Sequence, residues 1–465
     1  MKKLSLSLNL CFYLVFLSLF LIVSCRKDSS TEPNNTLIPA NEYNAEVPLA
    51  WYQLMLDIDR YAPGYRPPAA ARMMAYVGIA AYESVLPGMP DYNSMRSIYP
   101  YLNLPTVSPG KLYYWPASVN ASLATSFRLF YPHIKSADFA KIEQLEAKFH
   151  NQFLLEQEEE VLNRSRTFGK LVAEEVYRYS ASDLAGHEAY NNPRPSSYIP
   201  PAVGPNGEKL WQPTFPDFTR ALFPYWGQVR PFALSGSELI AKPPIPYSED
   251  PNSRFYQQAT ETKLLAQNAS FEDRWIAEFW SDDIFELTFE PAARQISIGN
   301  QMIIADKINL DRAVELYAKL GMAMADASIA VWNSKYIYNV IRPIDYIRRQ
   351  IDPSWSTILN APYGNVKSLT PEFPAYPSGH ACFAASAASV LTDIFGNNRS
   401  FVDNCHVRRF EFIGAPRYYN SFHEAAAENG YSRLPLGVHF RMDSDEGLRI
   451  GYYAGKKILE LPWRK

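Results

Sequence analysis

The stretch "PEFPAYPSGHACFAASAASV", residues 371–390, sets three prolines and a glycine before a run of small residues typical of a helix. Ser378, Gly379 and His380 stand at the predicted helix start. The first turn of a helix has unpaired N–H groups and the positive end of the helix dipole, which together favour an anion. The stretch therefore indicates an oxyanion site with His380 as the proton-transfer group, although an ordinary loop before a serine-capped helix has the same pattern.

Helical periodicity dominates the rest of the chain. Apolar residues recur at three- and four-residue spacing, and alternating strand patterns are scarce. The predicted helices cover residues 46–62, 67–86, 115–130, 136–158, 160–179, 256–281, 292–309, 311–339, 379–395 and 438–459. This pattern predicts an all-α protein built of packed helical bundles.

Composition narrows the class of protein. The 465 residues suffice for two to three core units, and the 47% hydrophobic content is that of a globular chain. A formal net charge of −3 argues against nucleic acid as the main partner.

The first residues, "MKKLSLSLNLCFYLVFLSLFLIVSC", combine a basic start with an apolar run that ends at Cys25. Residues 1–24 are predicted to be a signal peptide, and the last four residues of the run resemble the lipobox of bacterial lipoproteins. This interpretation implies lipid on Cys25, a flexible tether over residues 25–45, and an exported protein held at the bacterial outer membrane by its lipid alone. Cys382 and Cys405 are expected to be buried thiols, with one bridge between them left open.

The mature chain is predicted to comprise an N-terminal helical region, residues 46–255, and a C-terminal catalytic region, residues 256–465. Residues 182–255 are rich in proline and aromatic residues. We expect them to form an ordered excursion over the helical body.

Two further segments carry candidate site residues. In "VWNSKYIYNVIRPID", residues 331–345, Lys335 and Arg342 are seven positions apart, which would place both cations on one helix face before Pro343 ends the helix. In "YSRLPLGVHFRMDSDEGLRIG", residues 431–451, His439 lies near the start of the last helix. Asp443, one turn later, is placed to accept a hydrogen bond from its imidazole. Two surface cations and a packed core histidine are the alternatives.

Taken in order, the blocks Lys-x6-Arg-Pro, Pro-Ser-Gly-His and Ser-Arg-x5-His-x3-Asp resemble the signature of vanadium-dependent haloperoxidases and type 2 phosphatidic acid phosphatase-like acid phosphatases. These blocks cover roughly residues 330–445. The segments "FWSDD", residues 279–283, and "FPYWGQVRPFAL", residues 223–234, resemble bacterial haloperoxidases and extend the likeness to about 220–460.

This resemblance implies vanadate as the cofactor and hydrogen peroxide and a halide as substrates, with a small organic acceptor as a possible further partner. Lys335, Arg342 and Arg433 would neutralise the vanadate oxygens, and Ser378 and the Gly379 N–H would donate further bonds. His439 would bind vanadium through Nε2.

The resemblance also assigns supporting roles. His380 would take the proton from peroxide. Asp283 would pair with Arg433, and Trp332 and Phe373 would line the halide pocket. Phe373 stands where algal bromoperoxidases have a second histidine, so iodide and bromide both stay open. The segment "FEPAARQ", residues 289–295, departs from the Pro-Gly-His-like pattern of relatives.

Two other functions remain alternatives at this stage. An acid phosphatase on the same scaffold would use His439 as nucleophile and His380 as the acid for the leaving group. A non-catalytic surface lipoprotein would keep the fold for binding, but buried cations without a ligand are costly to retain.

Overall fold

The computed structural model describes residues 37–282, 284, 286–359, 368–407 and 409–465. Within these ranges the chain is helical apart from loops and one short two-stranded antiparallel sheet. The helices are α1 (Glu46–Asp59), α2 (Ala69–Val85), α3 (Trp115–Phe130), α4 (Ser136–Phe153), α5 (Glu159–Ala181), α6 (Leu184–His187), α7 (Arg254–Gln267), α8 (Phe271–Phe279), α9 (Pro291–Asp306), α10 (Leu310–Tyr338), α11 (Pro343–Gln350), α12 (Gly379–Phe395), α13 (Phe422–Ser432) and α14 (Arg441–Leu459). The strands are β1 (Phe401–Asp403) and β2 (Arg417–Tyr419).

The all-α prediction is confirmed, with local differences in where helices begin and end. The stretch predicted as one helix over 256–281 forms two, α7 and α8, because the hydroxyl of Ser270 accepts the N–H of Asp273 and starts a new helix. Helices α6, α11 and α13 were not predicted. Pro343 begins α11 instead of ending α10, since proline suits the first helical position, where no N–H is needed.

Two glycines let α2 and α10 approach closely at the centre of the molecule. A Cβ atom on Gly78 would lie 2.7 Å from the carbonyl oxygen of Tyr317, and one on Gly321 would lie 2.5 Å from the Cα of Ala75. Helix α10 is buried along most of its length. Residues 38–107 and 113–465 accordingly form one compact unit, to which every contact below belongs.

A glycine stripe on α14 produces a second close crossing, against α12. Gly447, Gly451 and Gly455 follow each other at four-residue spacing and therefore share one helix face. Cβ atoms on the first two would lie 2.5 Å from the Ser378 carbonyl oxygen and 2.3 Å from that of Cys382. The stripe thus seats the start of α12 against the first turns of α14.

The proline-rich segment after α6 has short 3₁₀ turns and lies on the helical body. The buried carboxylate of Asp326, on α10, accepts three consecutive backbone N–H groups, from Phe232, Ala233 and Leu234, at 2.6–2.9 Å. The hydroxyl of Ser334, two turns later on the same helix, accepts the N–H of Ala241 at 2.8 Å. Side chains of α10 therefore satisfy backbone donors that the excursion cannot pair within itself.

Some sequence predictions concern thiols and the membrane. Cys382 and Cys405 are both free thiols in the structure. No helix among the described residues is long and apolar enough to cross a membrane. The predicted signal peptide and Cys25, the predicted site of lipidation, lie outside the described residues.

Buried Asp59, at the end of α1, makes stability depend on pH. Burial raises the pKa of its carboxyl to about 7, whereas an unfolded aspartate ionises near its ordinary value. The unfolded state therefore loses its proton first as pH rises, so this contribution to stability is complete below about pH 4 and disappears through pH 7.

We predict that Asp59→Asn, which is neutral at every pH, becomes increasingly more stable than wild type between pH 4 and pH 8, by up to about 4 kcal/mol. Denaturant unfolding at several pH values measures the difference. Asp57→Asn, on the exposed side of the same helix, is the control and should show no such trend. A pH-independent difference for Asp59→Asn would contradict the prediction.

Candidate active site

Lys335 and Arg342 come together through a break in the chain and not through a shared helix face. Lys335 lies in the last turn of α10, which ends at Tyr338 because Asn339 adopts the left-handed conformation, with φ 45°. Arg342 lies beyond that break and caps α11. The prediction that both cations project from one continuous helix was wrong, because the periodicity argument assumed that the helix ran on to Pro343.

Backbone carbonyls hold both side chains, which are fully buried. The Lys335 ammonium donates to the carbonyl oxygens of Pro374 and Ala375 at 2.8 and 3.0 Å. The Arg342 guanidinium donates to those of Phe373 and Val438 at 2.8 and 2.7 Å. Carbonyl dipoles stabilise a cation without cancelling its charge, so the positive charge remains available to a ligand.

The ring of Phe373 lies close to both cations. Its centroid is 4.8 Å from the Lys335 Nζ and 5.0 Å from the Arg342 Cζ. Both distances suit a cation–π interaction, which is stronger where water is excluded. Trp332 completes the wall, with its ring centroid 5.1 Å from that of Phe373. The aromatic wall therefore supports the cations as well as lining the site.

The opening motif forms the predicted helix start. The Ser378 hydroxyl accepts the Ala381 N–H at 3.4 Å, so it caps α12 as in the alternative interpretation. Gly379 follows at the first helical position, where a Cβ atom would lie 3.2 Å from two ring atoms of Trp332. The bare backbone at this position lets the indole ring approach the helix N-terminus.

His439 is held in one tautomer next to the cations. Its Nδ1 lies 2.9 Å from the Asp443 Oδ2, and its Nε2 lies 3.2 Å from Arg342. The Arg342 guanidinium can only donate, so Nε2 is the unprotonated nitrogen and Nδ1–H donates to Asp443. Burial lowers the pKa of His439 well below its usual range, and the positive charges of Arg342, Lys335 and Arg433 lower it further. The imidazole is therefore neutral at physiological pH and has a lone pair to offer.

The same surroundings shift the pKa values of two neighbouring groups, Lys335 and Asp443. Burial lowers the pKa of Lys335 well below its ordinary value, and Arg342 lowers it further. Burial also raises the pKa of Asp443 to about 7, although the hydrogen bond from the Phe440 N–H lowers it. An anion bound among these groups would favour the charged form of Lys335, since opposite charge stabilises it.

Arg433, at the end of α13, is the third fully buried cation and donates to the Trp280 carbonyl oxygen at 3.3 Å. Its positive charge contributes to lowering the pKa values of Lys335 and His439. Asp283, its predicted partner, lies outside the described residues. Lys335, Arg342 and Arg433 are called the cationic cradle below.

A cavity of about 90 Å³ opens next to the cradle. His380, His439, Trp332, Phe373 and Gly379 all line it. The sequence had placed these residues in one site, and the structure brings them together. Room of this size holds a few water-sized molecules, which suits small reactants.

The cavity also has charged lining residues that the sequence analysis missed. They are Arg66, Asp217, Asp282, Glu290 and Glu372. Glu290 lies in the segment "FEPAARQ", whose departure from the pattern of relatives was a signal for it. Asp282 and Glu372 lie within the quoted segments "FWSDD" and "PEFPAYPSGHACFAASAASV". Arg66 precedes α2 and had no signal, because its place in the cavity results only from tertiary packing.

The donor set favours an anion over a bare metal ion. No group of three or more His, Cys, Asp or Glu side chains suited to a metal ion occurs among the described residues. Three buried cations and a neutral imidazole instead gather at a helix N-terminus. A tetrahedral oxyanion matches such a site in charge and in number of donors.

Comparisons with known proteins agree with this geometry. Residues 315–462 match the family described as the VCPO second helical-bundle domain. The vanadium chloroperoxidase of Curvularia inaequalis is 25% identical over 301 residues, which are 52% of this chain and 48% of that protein. The structure of a bacterial vanadium-dependent iodoperoxidase is similar with a TM-score of 0.75 and 26% identity, covering 90% of this chain and 96% of that one. The chain is therefore similar to vanadium haloperoxidases in fold, and its residues 315–462 match a domain of that family.

Other vanadium haloperoxidases are more distant. A holo-type bacterial vanadium-dependent chloroperoxidase has a TM-score of 0.62 at 15% identity, with 90% and 97% of the two chains covered, which shows the shared fold. The vanadium-dependent bromoperoxidase of Ascophyllum nodosum is 27% identical over 95 residues, 18% of this chain and 17% of that protein. The chain thus matches about half the length of the first curated relative and less of the second.

We predict that Arg342→Lys destabilises the protein although the charge is kept. A lysine cannot reach both carbonyls that the guanidinium serves, so at least one buried acceptor loses its partner, at a cost of about 1–3 kcal/mol. Chemical denaturation measures the loss. Arg349→Lys, on the exposed side of α11, is the matched control. Equal stabilities for the two variants would show that the fork geometry of Arg342 is dispensable.

Proposed function

We propose that this protein is a vanadate-dependent haloperoxidase that oxidises iodide or bromide with hydrogen peroxide to a hypohalous-acid equivalent. The observation that carries this proposal is the cationic cradle beside a neutral His439, at the wall of a cavity that His380 also lines. Relatives named for chloro-, bromo- and iodoperoxidase activity support it. The halogen would then pass to a small organic acceptor or into solution.

The residues present fit vanadate. The cradle supplies positive charge in a buried setting. The Nε2 lone pair of His439 would form the one bond from the protein that a vanadium centre needs. Ser378 and the Gly379 N–H stand at the start of α12, where further donors are expected. Bound vanadate would supply a Lewis-acidic centre that activates peroxide towards the halide.

The chain's own residues would perform the remaining tasks. His380 lines the cavity and is placed to take a proton from hydrogen peroxide and to return it to the product. Trp332 and Phe373 form the apolar side where a weakly hydrated halide would rest. The indole N–H of Trp332 is buried without a hydrogen-bond partner among the described residues, which leaves a donor available to an anion.

An acid phosphatase could use the same cradle, because phosphate is also a tetrahedral oxyanion. We predict that the vanadate-loaded protein oxidises iodide with peroxide and loses this activity progressively as phosphate is added. His439→Ala should abolish stable vanadate binding, whereas His380→Ala should retain vanadate and lose about 10²–10⁴-fold in turnover. Equilibrium dialysis measures vanadate, and triiodide formation measures turnover.

Two outcomes would contradict these predictions. Equal vanadate binding by both histidine variants would refute the division of roles. His423→Ala is a control, because His423 is half-buried against Tyr452 and Thr392 and is no lining residue of the cavity. Efficient phosphate-ester hydrolysis by the vanadium-free protein, without halide oxidation at any vanadate concentration, would assign the protein to the phosphatases.

We further propose that the protein is exported and carries lipid on Cys25, with residues 1–24 removed. Only the sequence supports this, through the lipobox-like Ile22-Val23-Ser24-Cys25 and the polar segment that follows. Arg26, rather than Asp, after the cysteine favours the outer membrane of a Gram-negative cell.

Accordingly, Cys25→Ala should move the protein from the membrane fraction to the soluble fraction. Cell fractionation followed by immunoblotting measures the distribution. Cys11→Ala, within the apolar run, is the control and should leave the protein in the membrane fraction. Unchanged membrane retention of Cys25→Ala would contradict the lipid anchor.

A further inference from the structure

An ion pair that the proposed reaction does not use lies in the cavity wall. Arg66, from the loop before α2, pairs with Glu290, the residue that caps α9. Both side chains line the cavity together with His380 and His439. Their exposed fractions are 18% for Arg66 and 4% for Glu290, so the pair is shielded from bulk water.

The other lining carboxylates have a different arrangement. Asp282 faces Arg294 at 3.6 Å, and Glu372 pairs with Arg194. Asp217 accepts a hydrogen bond from the Thr219 hydroxyl at 3.0 Å. Neither of these arginines lines the cavity, and Arg66 is the only lysine or arginine among its described lining residues. An anion inside the cavity can therefore contact the Arg66 guanidinium directly, whereas none of the cradle cations is among the described lining residues.

We propose that the Arg66–Glu290 pair sets the affinity of this cavity for anions, with Arg66 as the first cationic contact of an incoming halide and Glu290 as the group that limits its attraction. The proposal names a specificity determinant and rests on the proposed function only in identifying the anion as a halide. Glu290 weakens anion binding because its carboxylate offsets the guanidinium charge at short range. Phosphate, with more negative charge, should be disfavoured more strongly than iodide.

The local structure allows the Glu290 side chain to be replaced while its backbone hydrogen bond is kept. Its backbone N–H donates to the Asp59 carboxylate at 2.9 Å, so the backbone is held independently of its side chain. Glu290→Gln keeps the size and one acceptor oxygen while removing the charge. Asp306→Asn is the matched control, since Asp306 pairs with Arg399 at the opposite end of the same helix.

Iodide binding can be measured without vanadate and without turnover. Iodide quenches tryptophan fluorescence, and Trp332 lies in the cavity wall, so a saturable component of quenching that Trp332→Phe removes reports the site. Glu290→Gln should bind iodide roughly three- to tenfold more tightly than wild type, while Asp306→Asn should be unchanged. Added phosphate should displace this iodide at lower concentration in Glu290→Gln than in wild type.

The double variant Arg66→Gln/Glu290→Gln distinguishes an effect of the Arg66 guanidinium on iodide affinity from a general effect of removing negative charge. It should bind iodide more weakly than Glu290→Gln and no better than wild type, and it still tests the idea if the single variant fails to fold. Equal affinities for Glu290→Gln and Asp306→Asn, tight binding by the double variant, or no saturable quenching in wild type would each overturn the proposal. A protein that shows these shifts but no halide oxidation would retain this inference and lose the proposed function.

Discussion

The structure of the site depends on how three buried cations are stabilised. Burial of a charge is costly unless polar groups replace the water that it loses. Lys335 and Arg342 receive this replacement from backbone carbonyls that converge from the segments before α12 and α14. The chain must therefore hold those segments in fixed positions, which explains the prolines before Ser378 and the stacking of both cations against Phe373.

Close helix packing fixes those segments. The stripe Gly447, Gly451 and Gly455 brings α14 onto α12, and the Ser378 N–H donates to the Asp443 carbonyl oxygen at 2.8 Å across the contact. The same Asp443 holds His439 by its side chain. One crossing thus sets the distance between the helix N-terminus and the imidazole, so that the anion donors and the candidate metal ligand form a single site.

The sequence identified the residues of the candidate site more accurately than it predicted their spatial arrangement. The spacing of His439 and Asp443 predicted a one-turn pair, which local geometry alone determines. The predicted shared face of Lys335 and Arg342 failed, because Asn339 ends α10 by a backbone conformation that periodicity does not encode. Arg66 and Glu290 are far apart in sequence and meet only when α2 and α9 pack into one unit. No local pattern could have paired them.

Charge within the cradle suits a tetrahedral oxyanion but does not decide between vanadate and phosphate chemistry. Both anions would compensate the same buried cations and favour the charged form of Lys335. A difference must come from groups beyond the cradle, which meet the second reactant. These are the aromatic wall of Trp332 and Phe373, and the Arg66–Glu290 ion pair that lines the same cavity. An apolar face with an indole N–H that has no hydrogen-bond partner among the described residues suits a large, weakly hydrated halide better than the polar leaving group of a phosphate ester. The cavity wall rather than the cradle therefore favours halide oxidation.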